Sequence, residues 1–101
     1  MSSGVFDCSA PIVIGEGCSI GPRVSLLTSS HQIEGPMRRA GPATSRSIVV
    51  GDGTWIGANV VILPGVTIGA GCVTGAGSVP AGDYRPDGLY VGVPARRVRD
   101  L

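Results

Sequence analysis

The chain has 101 residues, 17 of them glycine and only 4% aromatic, with eight Lys/Arg set against seven Asp/Glu. That length holds one small domain. A net charge near zero supplies no global pull toward nucleic acid or an anionic membrane, and no apolar run approaches the roughly 20 residues that span a bilayer. Cys8, Cys18 and Cys72 are odd in number, with no Cys-x-x-Cys or Cys/His cluster. This argues against a disulfide framework and a zinc site, and it suits a reducing cytoplasm.

Residues 1–13 are partly out of phase with the remainder of the chain. Val5-Phe6 is expected to be the last side of an earlier coil and Pro11 a corner, so that 1–13 forms a partial first coil. No basic stretch followed by an apolar one marks a secretory leader. From Ile14 a period of six begins. An aliphatic residue followed by glycine recurs at Ile14-Gly15, Ile20-Gly21, Val50-Gly51, Ile56-Gly57 and Ile68-Gly69, and Leu26, Ile62 and Thr74 fill the same phase. Four residues after these positions stand Cys18, Val24, Thr54, Val60, Val66, Cys72 and Ser78.

A period of two buries one face of a strand and 3.6 one face of a helix. A period of six fits a coil with three flat sides, each one short strand, stacked about 4.8 Å apart. Ile14, Ile20, Leu26, Val50, Ile56, Ile62 and Ile68 are then the inward row. The adjoining glycine serves the corner, either by taking a positive φ or by leaving room. Residues 14–31 give three sides and 50–67 a full coil, with 68–79 adding two more sides. Residues 32–47 lose the pattern and carry Gly35-Pro36, Arg38-Arg39 and Gly41-Pro42, so a projecting loop is expected there; a long insertion in a compact domain is usually functional. Residues 80–101, with Pro80, Pro86 and Pro94, are expected to be a non-repetitive capping tail. The prediction is an all-β, three-sided parallel β-helix of about three coils.

The repeat, the segment Thr28-Ser29-Ser30-His31, the block Gly53-Thr54-Trp55-Ile56-Gly57-Ala58 and the ending Gly92-Val93-Pro94-Ala95-Arg96 resemble the hexapeptide-repeat acyltransferases, in particular the maltose/galactoside O-acetyltransferase branch. The resemblance covers nearly the whole chain. It implies a left-handed coil, which periodicity does not show. It implies transfer of an acetyl group from acetyl-CoA to a hydroxyl of a sugar-like small molecule, without metal. It further implies a homotrimer with active sites between subunits. Family members usually carry further residues before this point, so the chain is either a minimal form or a piece of a longer one.

His31, the sole histidine, is the candidate catalytic base, because imidazole titrates near neutrality and a hydroxyl attacks a thioester only once its proton is taken. Its orienting partner is left open, with Glu34 and nearby carbonyls as alternatives. The resemblance places Asp7 near the acceptor, offset by one residue; a turn residue is the plainer reading. It places Trp55, Ala58 and Ala76 along the acetyl-CoA groove and Arg96 and Arg99 at its phosphates, which arginine forks suit. Where relatives often carry Thr-Lys before the tail, this chain has Ala81-Gly82. A second class of function, a non-catalytic assembly module or a fragment retaining only the prism, is separated from the first by a thioester-cleavage assay with acetyl-CoA and a panel of acceptors.

Overall fold

The computed structural model describes residues 4–101; Met1–Ser3 of the expected partial first coil lie outside the described residues. The chain winds as a three-sided parallel β-helix. β1 (Val5–Phe6), β4 (Ser25–Leu26) and β9 (Val61–Ile62) stack on the first face. β2 (Ile12–Ile14), β7 (Ile48–Val50), β10 (Thr67–Ile68) and β12 (Asp83–Tyr84) stack on the second. β3 (Ser19–Ile20), β8 (Trp55–Ile56), β11 (Val73–Thr74) and β13 (Gly88–Gly92) stack on the third, where β14 (Ala95–Asp100) adds an antiparallel edge. β5 (Ser29–Ile33) and β6 (Ala40–Ser45) form a separate two-stranded sheet.

The register puts like positions of the repeat side by side. Leu26 pairs with Ile62, Ile14 with Val50 and Val50 with Ile68, Ile20 with Ile56 and Ile56 with Thr74. Leu26, Val50, Ile56, Ile62 and Ile68 are fully buried, as are Val24, Val60, Val66 and Cys72 from the second inward row. Thr54 fits that row because its hydroxyl donates to the Gly69 carbonyl at 3.0 Å. Ile12, Ile14, Cys18 and Ile20 point inward but are only partly covered, since no rung among the described residues lies beneath them.

The glycine after each aliphatic residue is there for room. A Cβ on Gly51 would stand 2.4 Å from the Ala70 amide of the rung above, a distance no side chain tolerates. The positive φ comes three residues after the aliphatic, at Gly53, Gly65, Gly71 and Gly77, and at Arg23, Asn59 and Asp87 where glycine is replaced.

Two expectations gain detail. The loop expected at 32–47 starts at Ser29 and is an antiparallel hairpin. With its strands exposed, it left no apolar pattern to read. The tail from Pro80 is not wholly non-repetitive, because β12 and β13 pair in parallel with β10 and β11 and continue the prism; only β14 folds back. The prism is therefore three rungs tall on its first face and four on its second and third.

Candidate active site

The hairpin leaves the prism after Thr28 and is closed at its root by the Arg46 amide, which donates to the Thr28 carbonyl at 2.8 Å. Ser29 pairs with Ser45, Ser30 with Thr44 and His31 with Ala43, and the register shifts before Ile33 meets Ala40. Beyond it, the Glu34 amide bonds the Arg39 carbonyl across the Gly35-Pro36 turn. His31 is exposed on β5, with Nδ1 2.8 Å from the Gly41 carbonyl oxygen. A carbonyl only accepts, so Nδ1 carries the hydrogen and the neutral ring keeps its lone pair on Nε2. The orienting partner is thus the Gly41 backbone and not the Glu34 carboxylate. A side chain on Gly41 would collide with Glu34 Cγ and crowd the Gln32 carbonyl. The pair Gly41-Pro42 marked this point in the sequence only as a turn.

Asp7 lies at the hairpin root. Its Oδ1 accepts from the Ser9 amide at 3.2 Å and the Ser9 hydroxyl at 2.9 Å. Its Oδ2 accepts from the Ser29 amide at 2.9 Å and from the Ser29 hydroxyl. These bonds, the Ser29 hydroxyl foremost, hold its pKa down at about 2. An ionised carboxylate has about four lone-pair sites, and here the protein's own donors reach both oxygens. An acceptor contact at Asp7 would share these oxygens with four donors of the protein. Ser9 and Ser29 were not singled out in the sequence.

The third face carries the other candidates. Its outer cross-strand line runs Ser19, Trp55, Val73, Leu89, Arg99, and Arg96 pairs with Val91 beside it. Trp55 is 56% exposed. Ala58 and Ala76 occupy the following corner on successive rungs, where the Gly77 amide donates to the Ala58 carbonyl at 2.9 Å. Arg96 and Arg99 are exposed and make no ion pair among the described residues. Arg97, between them, turns inward instead and donates to the Tyr90 hydroxyl at 2.7 Å. Small corner residues, an outward aromatic and two unengaged guanidiniums on one face suit an elongated ligand with an anionic end. Ala81 and Gly82 are exposed nearby and add no cation. His31 stands on the two-stranded hairpin sheet and Trp55 on the third face of the prism.

A family model described as bacterial transferase hexapeptide (six repeats) matches residues 47–79. Galactoside O-acetyltransferase of Escherichia coli (strain K12) is 40% identical over 90 residues, which span 89% of this chain and 44% of that protein. Its namesake in Lactococcus lactis is 32% identical over 92 residues, covering 88% and 44%. Among solved structures, a hexapeptide-repeat-containing acetyltransferase from Vibrio cholerae, complexed with acetyl coenzyme A, superposes with a TM-score of 0.92 at 44% identity over 98% of this chain and 54% of that one. A galactoside acetyltransferase in complex with coenzyme A gives 0.87 at 38% identity, over 94% and 48%. The chain thus spans about half the length of the relatives it matches. These neighbours are left-handed β-helices, the hand expected from the resemblance. In repeat, in fold and in sequence, the chain is a hexapeptide-repeat protein similar to the acetyltransferases of the maltose/galactoside O-acetyltransferase branch.

Proposed function

We propose that this chain takes part in acetyl transfer from acetyl-CoA to a hydroxyl of a sugar-like small molecule in the cytoplasm, with His31 as general base. The observation that carries the reading is the 2.8 Å contact from His31 Nδ1 to the Gly41 carbonyl, which leaves Nε2 as the acceptor. Nε2 takes the proton of the acceptor hydroxyl as its oxygen attacks the thioester carbonyl. The C–S bond then breaks, and the imidazolium returns the proton to the departing thiolate. Trp55, Ala58 and Ala76 would hold the pantetheine arm and Arg96 and Arg99 the phosphates. The two structures with coenzyme A or its acetyl ester bound support that donor.

His31 and Trp55 lie on different sheets, and in this reading a second copy brings its own groove to the hairpin. A homotrimer with clefts between subunits gives this arrangement. Val13 and Val49, neighbours on the outer line of the second face and both exposed, offer apolar area for such contacts. The decisive test is His31→Ala. Turnover of acetyl-CoA with a sugar panel should fall by roughly 10²–10⁴ while acetyl-CoA binding holds. Retained turnover would remove His31 as the base, whereas a wild type that cleaves no thioester would leave the assembly-module reading standing. Light scattering that showed a stable micromolar monomer would sink the shared site.

A further inference from the structure

We infer that Asp7 is a positioning residue, whose carboxylate fixes the root of the β5–β6 hairpin and through it the placement of the His31 imidazole. The inference rests on the acyl-transfer reading of His31. It gives Asp7 a different task from the acceptor contact that the resemblance suggests.

The segment after β1 and the start of the hairpin are laced together, although about twenty residues separate them in sequence. The Asp7 amide donates to the Leu26 carbonyl at 2.9 Å. The Asp7 carbonyl accepts from the Thr28 hydroxyl at 2.6 Å, and that oxygen accepts from the Ala10 amide at 3.1 Å. Thr28 is fully buried, so its end of these bonds is shielded from water. The carboxylate adds both Ser29 donors, and hydrogen bonds to an ionised acceptor are about twice as strong as neutral ones. Both carboxylate oxygens are engaged by the protein's own donors.

Ser29 opens β5, and His31 stands two residues further along. Alternate residues of a strand share a face, so the residue that Asp7 grips and the imidazole project from the same side of the hairpin. The hairpin has little else to fix it. All of β5 is exposed, with Ile33 at 85%, and a lone two-stranded hairpin is marginal in water. Its orientation is therefore inherited from its root, and with it the pairing of His31 Nδ1 with Gly41 on the opposite strand. Displacement of a catalytic group by about 1 Å costs on the order of a hundredfold in rate.

The test uses Asp7→Asn and the milder Ser29→Ala in the full chain. An amide at position 7 turns an N–H₂ toward one pair of serine donors, and Ser29→Ala removes one bond without opposing donors. Amide exchange at Ser30 and Thr44 should quicken by about tenfold or more in both variants, while Ile56 and Ile62 keep their rates. The ¹⁵N signals of the His31 ring should pass from one tautomer to a mixture. With whichever sugar the wild type acetylates, turnover should fall by roughly 10–100-fold at an unchanged acceptor KM. A raised acceptor KM with turnover and imidazole signals intact would make Asp7 a substrate ligand and overturn the proposal, as would hairpin exchange at the wild-type rate. Should the wild type transfer no acetyl group, the acyl-transfer reading fails by itself, and exchange and ring signals still decide what Asp7 positions.

Discussion

The Arg97 guanidinium lies over the Tyr90 ring, 5.5 Å from its centroid, and donates to the Tyr90 hydroxyl. Tyr84 meets the same ring edge-on at 4.6 Å between centroids. Arg97 also pairs with Asp100 at 2.8 Å and donates to the Asp87 carbonyl at 3.1 Å. Asp100 first, then the tyrosine hydroxyl, raise its pKa and hold it charged. The upper end of the prism is thus closed by two tyrosines beneath one arginine. Arg97→Ala should lower the melting temperature by several degrees in differential scanning calorimetry. Arg96→Ala and Arg99→Ala, whose side chains lie on the outer surface, should each stay within about 2 °C. Equal losses from all three would show that Arg97 does not close the core.

Thr74 occupies an aliphatic position of the inward row between Ile56 and Tyr90, and its buried hydroxyl has no hydrogen-bond partner among the described residues. Thr74→Val keeps the shape and removes the unpaired group. Stability should rise by about 1 kcal/mol, read as a midpoint about 4–8 °C higher on heating. A lower midpoint would mean that the hydroxyl is satisfied in solution.

The exposed line from Trp55 to Arg99 makes a prediction about the nucleotide end of coenzyme A. Exposed ion pairs are individually weak, so Arg96→Ala/Arg99→Ala should weaken coenzyme A binding by no more than about thirtyfold at low salt. The difference should shrink as salt rises. Titration calorimetry reads both effects. Unchanged low-salt affinity would put the phosphates elsewhere.

Asp7 confers a pH dependence whose sign is set by its bonds. Folding holds its pKa at about 2 against an ordinary 3.8. The folded chain therefore releases this proton more readily, and the carboxylate stabilises the fold above its unfolded pKa. That stabilisation is lost as pH falls through the folded value. The gap in melting temperature between wild type and Asp7→Asn should be flat from about pH 5 to 8 and close between about pH 4 and 2. A gap that persisted at pH 2 would assign the difference to something other than the charge.

The rows from Ile14 to Ser78 were legible because every rung repeats one steric demand, an inward aliphatic and a corner without a Cβ. The winding hand was not, since either hand buries the same positions. The fourth rung was hidden by a broken step. Pro80 is buried where the period places it, but Tyr84, which stacks on Ile68 in the aliphatic row, comes four residues later instead of six, and tyrosine replaces the aliphatic there and at Tyr90. The six-residue interval between the two tyrosines and the glycines at 88 and 92 were the signal available. At the site, the phase of the repeat placed Trp55 outward, and the segment Thr28-Ser29-Ser30-His31 marked His31 as a candidate base. The acceptor of its Nδ1–H could not be read, because a backbone carbonyl is the same in every residue and only the hairpin register selects Gly41.

The Thr28 carbonyl and the Arg46 amide meet at 2.8 Å, with the whole excursion lying between them. To the coil, the intervening residues are a detour that ends where it began, and the rung below Ile48 cannot register how long the detour is. Lengthening a surface loop raises its closure cost only logarithmically. The excursion is in this sense an adjustable cassette: a hairpin of other length beyond Ser29, His31 and Gly41, pinned at the same two backbone groups, would change the wall around His31 without disturbing a single inward side chain.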